Sequence, residues 1–122
     1  MKGNILNFTA ENAVPAFRFA TVGSADGNVK LAAAGNAVIG VSTDVDTDVG
    51  HPCDVQLDGI ARVEAGGAVT YGGMIGAGEN GKAVAVASGE AIGMALDSGV
   101  AGDVIRVLIV RSYVASAASQ ET

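Results

Sequence analysis

The sequence predicts an all-β domain, a small barrel or sandwich, and two observations support this prediction. Apolar and polar residues alternate in several short runs, which is the period of a half-buried β-strand. Segments rich in glycine and other turn residues separate almost all of these runs, and the chain contains 18 glycines. No stretch keeps a helical period over the roughly ten residues expected of a helix.

The predicted strands follow one another at short intervals along the chain. The first extends from about Val14 to Val22, where Phe17 and Phe19 flank Arg18. The alternation is clearest at 53–58, where every second residue is apolar. The remaining strands are predicted at 29–32, 38–42, 61–65, 82–87, 91–96 and 104–110.

The two ends of the chain differ from its middle. Residues 1–13 place a few apolar side chains among polar ones and predict an extended N-terminal arm. Residues 14–114 contain the predicted strands and form the β-domain. Residues 115–122 are small and polar with little to bury, which predicts a short disordered tail. The whole chain of 122 residues has the size of one domain.

A weak internal repeat accompanies this pattern. Residues 37–42 resemble residues 91–96, and in both places an acidic, glycine-containing loop leads to a similar second strand. Duplication and chance similarity are both open at this point. If the repeat is real, Gly40 and Gly93 lie in related strands where a neighbouring backbone comes close.

Composition excludes several classes of function. The formal net charge is −6 and the basic residues are not clustered, which disfavours nucleic acid as a partner. No apolar run approaches the roughly 18 residues that span a bilayer, so no membrane is expected as a partner. The single cysteine, Cys53, cannot form an internal disulfide, and the first residues lack the features of a signal peptide. We therefore expect the chain to be made in the cytoplasm.

The glycine-rich segment 76–82 resembles a phosphate-binding loop. Ala83 stands where such a loop has a Ser or Thr hydroxyl that ligates Mg²⁺. The segment also leads into a predicted strand, whereas a phosphate loop leads into a helix whose N-terminal amides face the phosphates. We interpret it as a hairpin loop, and nucleotide binding is the disfavoured alternative.

Two further groups of residues have metal-ligating or nucleophilic side chains. Asp44, Asp46 and Asp48 alternate as in a calcium loop, but the glycine and glutamate that complete such a loop are missing. We interpret this segment as a solvated acidic loop, with weak Ca²⁺ binding as the alternative. His51 and Cys53 are too few for a structural zinc site. The sequence therefore predicts no enzyme, no cofactor and no small-molecule substrate.

Arg106 is the most informative charged residue. It lies in the run 104–110, which is apolar on both sides and is therefore predicted to be covered on both faces. A buried guanidinium is costly unless it meets a carboxylate or lies at a subunit boundary. We therefore predict that Arg106 and Leu108 lie at an oligomer interface.

The layout resembles a known family of proteins. Its elements are the arm, a short β-domain rich in Ala, Val and Gly, the segment GIARVEAG at 59–66 and the strand, loop and strand at 91–108. Together they cover most of residues 14–110. The pattern is similar to that of the capsid cement, or head-decoration, proteins of tailed bacteriophages, of the lambda type. The arm 1–13 and the acidic segment 44–52 match no motif of that family.

The resemblance implies a β-clip-like or small β-barrel fold. It also implies a homotrimer on the outer surface of an expanded phage head, where it bridges subunits of the major capsid protein. The resemblance implies no catalytic residues. The alternative is a trimeric β-rich fibre or spike base of a phage.

The arm offers a way to bind such a capsid. Its apolar residues Ile5, Leu6 and Phe8 suit addition of a strand to a sheet edge of the capsid protein. On this hypothesis, removal of residues 1–12 leaves the trimer folded and abolishes capsid binding.

Overall fold

A computed structural model describes residues 4–34, 37–86 and 89–114, without the side chains of residues 89, 90 and 111–114. The all-β prediction is confirmed, because these residues form ten strands and one turn of 3₁₀-helix at Glu79–Gly81. The strands are β1 Ile5–Ala10, β2 Phe19–Val22, β3 Asn28–Leu31, β4 Gly40–Ser42, β5 Pro52–Gln56, β6 Gly59–Glu64, β7 Met74–Ala77, β8 Ala83–Ala85, β9 Gly89–Ala95 and β10 Val104–Val114.

The strands form two sheets that follow each other along the chain. The first five close into a barrel in the order β1, β3, β2, β4, β5. In this barrel β1 pairs in parallel with β3 and antiparallel with β5. The other five form a sheet in the order β6, β10, β9, β7, β8. A single parallel bridge between Ala65 and Ala83 joins the end of β6 to the start of β8.

The two sheets are structural repeats of each other. We call residues 4–58 the first repeat and residues 59–114 the second repeat. Each strand has an equivalent with equivalent neighbours in the other repeat. In the first repeat the order is β3, β2, β4, β5, β1, and in the second repeat it is β8, β7, β9, β10, β6. The isolated antiparallel bridges also correspond, with Val14 to Thr47 in one repeat and Val69 to Gly99 in the other.

Backbone hydrogen bonds and turns support the equivalence. In the first repeat the amide of Ala10 donates to the carbonyl of His51, and the amide of Gly50 donates to the carbonyl of Ala10. In the second repeat the amide of Ala65 donates to the carbonyl of Asp103, and the amide of Gly102 donates to the carbonyl of Ala65. Residues with positive φ recur at matching places, namely Phe17 with Gly72, Gly27 with Gly81 and Gly50 with Gly102. The weak repeat in the sequence therefore corresponds to a repeat in the fold.

The repeats share their interior. The core of the first repeat consists of Ala10, Val14, Ala20, Val29, Cys53 and Val55, with Phe8, Ile39 and Leu57 packed against it. The larger core contains the inner side chains of the second repeat, but it also includes Phe19, Ala32 and Val41 of the first repeat. Burial of these three side chains joins the two repeats into one packed unit.

The N-terminal segment differs from the predicted arm. Residues 5–10 form β1, which pairs with β5 from Ile5 opposite Gln56 to Thr9 opposite Pro52. This part of the chain is thus a barrel strand, because its amides and carbonyls close the first sheet. The predicted strand 14–22 is shorter than expected and begins at Phe19, because Phe17 has a φ of 60° that interrupts the extended backbone. The predicted tail, 115–122, lies outside the described residues.

Candidate functional site

A cleft of about 510 Å³ lies between the two repeats. It is lined by Ile5, Phe17, Ser42, Thr43, Asp44, Gln56, Ile60, Ala61, Arg62 and Arg106. No His or Cys is among these residues. The Ser42 hydroxyl donates to the carbonyl of Pro15 at 2.7 Å and accepts the amide of Arg18 at 3.0 Å. These bonds hold Ser42 in a structural role, and the cleft presents surface charges and apolar side chains.

Arg106 on one wall of the cleft forms a two-point ion pair with Asp97. Its Nε and Nη2 donate to the two carboxylate oxygens at 3.1 and 2.9 Å, and its backbone amide donates at 2.9 Å. These hydrogen bonds lower the pKa of Asp97 from 3.8 to about 2. The predicted carboxylate partner of Arg106 is therefore present.

The predicted burial of Arg106 is wrong for the described chain. Its side chain is 56% exposed. Ile105, Val107 and Ile109 of β10 point into the core, whereas Val104 and Val110 are exposed on the same face as Arg106. Within the described residues, Val104, Arg106 and Val110 are exposed on the outer face of this sheet, so apolar residues on both sides of a strand did not mean full burial on both. The predicted role of Arg106 and Leu108 at an oligomer interface stays a prediction.

The residues predicted to contact the capsid lie on β1. Ile5 and Leu6 are 40% and 51% exposed on opposite sides of this strand, and Phe8 is half-buried against the first core. Ile5 lines the same cleft as Arg106, so the structure brings these two predicted residues to one place. Leu6, Phe8 and Leu108 are not among the lining residues of the cleft.

A charged cluster next to the cleft joins the repeats, and it was not predicted from the sequence. Arg18 forms an ion pair with Glu64 at 3.1 Å and donates to the carbonyl of Asn80 at 3.1 Å. Glu64 also contacts the Nζ atom of Lys82 at 3.4 Å, and its amide donates to the carbonyl of Phe17. The position of Arg18 between two phenylalanines was the available signal, because a charge flanked by aromatic residues needs a partner where it is partly buried.

An apolar row on the outer face of the second repeat was also missed. Leu108 on β10 lies opposite both Ile60 on β6 and Met94 on β9, and Met94 lies opposite Met74 on β7. Side chains that are paired in this way share one face of a sheet. We call these four residues the outer row. All four are half-buried.

The glycine-rich loop is a hairpin connection, as predicted. It joins the antiparallel strands β7 and β8 through the 3₁₀ turn Glu79–Gly81. Lys82 is turned toward Glu64. The arrangement lacks the helix that presents its amides to a phosphate.

The acidic loop and the His51–Cys53 segment have structural contacts. Asp46 accepts the amide of Ala16 at 2.8 Å, and the neighbouring Thr47 bridges to Val14. Cys53 is fully buried, and this burial raises the pKa of its thiol, while His51 is exposed. Within residues 4–34, 37–86 and 89–114, no three His, Cys, Asp or Glu side chains are grouped closely enough to hold a metal ion. The same residues contain no helix with the length and apolar character to cross a bilayer.

Comparisons with known proteins identify the class of this chain. It shares the fold of a solved structure described as the head fiber gp8.5 N base in bacteriophage phi29. The two are 23% identical, the TM-score is 0.74, and the similarity covers 91% of this chain and 97% of the other. No curated protein sequence matches the chain. The sequence model of the phage cement protein family matches residues 1–111, nearly the whole chain. This chain therefore belongs to the phage cement protein family, a family of virion structural proteins that bind the capsid.

Proposed function

We propose that this protein is a capsid decoration protein that binds the outer surface of an expanded phage head as a homotrimer. Bound there, it bridges subunits of the major capsid protein and stabilises the shell. It is made in the host cytoplasm and has no enzymatic activity. The observation that carries this proposal is the family match over residues 1–111.

The surface of the described chain supports a binding role. Large apolar side chains are exposed on β1 and in the loops, including Ile5, Leu6 and Val49. The lining of the cleft has no cysteine or histidine and holds its serine in backbone hydrogen bonds. Exposed apolar residues on a small domain suit contacts with a larger protein surface. Because each trimer contacts several capsid subunits at once, weak single contacts add up to tight binding.

Co-sedimentation with capsid shells tests the proposal. The purified protein is mixed with expanded shells of the major capsid protein, which are then pelleted. We expect saturable binding at a fixed ratio to the capsid protein, and shells that resist heat or internal pressure better than bare shells. Absence from the pellet at protein concentrations of tens of micromolar would contradict the proposal.

Paired variants locate the binding surface. Ile5→Ser with Leu6→Ser should weaken shell binding at least tenfold while the fold is kept, because both side chains are exposed. Val22→Ser removes a valine that is 60% exposed on β2 and serves as the matched control. Equal binding by both variants would mean that β1 is not the capsid-binding surface.

A second candidate function is the base of a head fibre. The shared fold with the phi29 head fiber base supports it. Electron microscopy of the virion separates the two functions. A cement protein appears as compact density over the lattice of capsid subunits, whereas a fibre base continues outward into a fibre.

A further inference from the structure

We infer that the outer row of the second repeat is a contact surface for the first repeat of a second copy of this chain. The outer row consists of Ile60, Met74, Met94 and Leu108, as defined above. This inference rests on the proposed self-association and adds to it the face that makes the contact.

The register of the sheet places the outer row on the face opposite the core. The neighbouring residues Ala61, Ile75 and Val107 are buried in the core of the second repeat. Because successive side chains of a strand point to opposite faces, the outer row points away from that core. Val104 and Val110 are 47% and 42% exposed on the same face and extend its apolar area along β10. Of the four side chains, Ile60 also lines the cleft shared with the first repeat, whereas Met74, Met94 and Leu108 are not among the lining residues of that cleft.

The first repeat shows what such a row does in this fold. Its equivalent residues are paired in the same way, with Phe19 opposite Val41, Val41 opposite Gln56, and Gln56 opposite Ile5. Phe19 and Val41 are 0% and 1% exposed, and both lie in the core that contains the second repeat. Within one chain this face is therefore buried against the other repeat.

If the row of the second repeat is buried against another repeat in the same way, a second copy of this chain lies on the outer row. The row of the first repeat is covered by the second repeat, and the described residues contain no third repeat that could cover the row of the second. Another copy of this chain supplies repeats of the same fold that can do so. Covering the part of these Met, Leu and Ile side chains that is still exposed removes apolar surface from water, which favours association.

The charges favour contact between unlike repeats. By sequence, residues 4–58 carry two basic and seven acidic side chains, and residues 59–114 carry four basic and five acidic ones. The first repeat therefore has a net charge of −5 and the second repeat a net charge of −1. Arg62 and Arg106 lie opposite each other on the face of the outer row. A first repeat docked there meets Arg62 and the Arg106–Asp97 ion pair, whereas two first repeats placed together would repel each other more strongly.

Contact between unlike repeats has a consequence for symmetry. A surface on one repeat that binds a different surface on the next copy gives a head-to-tail contact, and such contacts form a closed ring where the rotation between copies allows closure. In the ring each chain contacts two different neighbours, whereas in a two-fold dimer both contacts would be made with the same partner. A trimer is the smallest such ring and agrees with the proposed homotrimer.

The test is the mass of the full chain in solution, measured by sedimentation equilibrium. Met94→Lys places a charge at the centre of the outer row, and Leu108→Gln is a milder second variant. Val100→Lys changes a valine that is 60% exposed in the loop between β9 and β10 and serves as control. Circular dichroism checks that each variant is folded. We expect the unmodified chain and Val100→Lys to form the ring, with at least a tenfold weaker association for the two outer-row variants.

The outcomes separate this inference from the proposed function. A monomeric unmodified chain would defeat the proposed self-association itself. A ring that persists in both outer-row variants would support self-association but would overturn the outer row as the contact surface. This conclusion holds whether the capsid or another segment of the chain covers the row. A compact dimer would overturn the head-to-tail ring, and dissociation of the Val100→Lys control would show that the effect is not specific to the row.

Discussion

Gly40 and Gly93 occupy equivalent strands of the two repeats, and each is packed against a backbone carbonyl of the neighbouring strand. The carbonyl is that of Gln56 for Gly40 and that of Leu108 for Gly93. A Cβ atom at residue 93 would lie 2.6 Å from that oxygen and 2.5 Å from Cγ1 of Val107. Both glycines are therefore required by a close approach of backbone, in the same place of each repeat.

Gly93→Ala should destabilise the protein by about 1–3 kcal/mol, because the methyl group overlaps atoms that cannot move without shifting β10. Gly40→Ala should have an effect of the same size. Gly67→Ala is the control, since a Cβ there meets nothing within 4 Å, and it should stay within about 0.5 kcal/mol of the unmodified protein. Urea unfolding monitored by circular dichroism measures all three. Equal stabilities at 67 and 93 would contradict the close contact.

Removal of residues 1–12 should unfold the first repeat, which reverses the expectation drawn from the sequence. The deletion takes away β1 with its pairing to β3 and β5, and it removes the buried Ala10 from the core. A thermal melt should show loss of the native transition or a large drop in its midpoint. A fully folded truncated chain would mean that β1 is dispensable for the barrel. Capsid binding is thus better tested with Ile5 and Leu6 substitutions than with a deletion.

The Asp97 carboxyl should titrate with a midpoint near 2 in the folded protein, against the ordinary value of 3.8. Because the folded pKa is the lower one, the ion pair with Arg106 stabilises the fold above about pH 4, and this contribution is lost as the pH falls through 2. NMR of the side-chain carboxyl carbon measures the midpoint. Arg106→Gln should return it toward 3.8. Arg62→Gln is the control and should leave it unchanged, since the bonds to Asp97 come from Arg106.

Glu64→Gln should cost about 1–3 kcal/mol, because Arg18 then loses its carboxylate in a partly buried site. The side chains of Arg18 and Glu64 are 15% and 26% exposed. Glu79→Gln changes an exposed carboxylate of the nearby turn and should stay within about 0.5 kcal/mol. Urea unfolding compares the two variants. Equal stability of both would show that the ion pair does not help to hold the repeats together.

Much of the fold follows from local patterns. Alternation at 53–58 predicted β5 and the inward direction of Cys53 and Val55, which are both buried. β1 was not predicted, because Ile5 and Leu6 are adjacent and do not show the alternation of a half-buried strand. Its pairing with residues about 50 positions away, in β5, decides its conformation.

The candidate site follows from the sequence only in part, because it depends on contacts between distant residues. Ile5 and Arg106 were singled out separately, and only the fold brings them to one cleft. The partner of Arg18 is 46 residues away. The exposure of Arg106 was mispredicted because an apolar strand is covered on both faces only where a second layer exists, and strand composition does not show whether it does.

The ring of Phe19 lies in the interior of the repeat to which it does not belong by sequence. Neither half of the chain is therefore complete when it is alone. A protease that cuts at Asp58 would leave two fragments that remain attached, and a force that pulls them apart must first withdraw this ring into water. Mechanical load applied to one half is thus passed directly to the other.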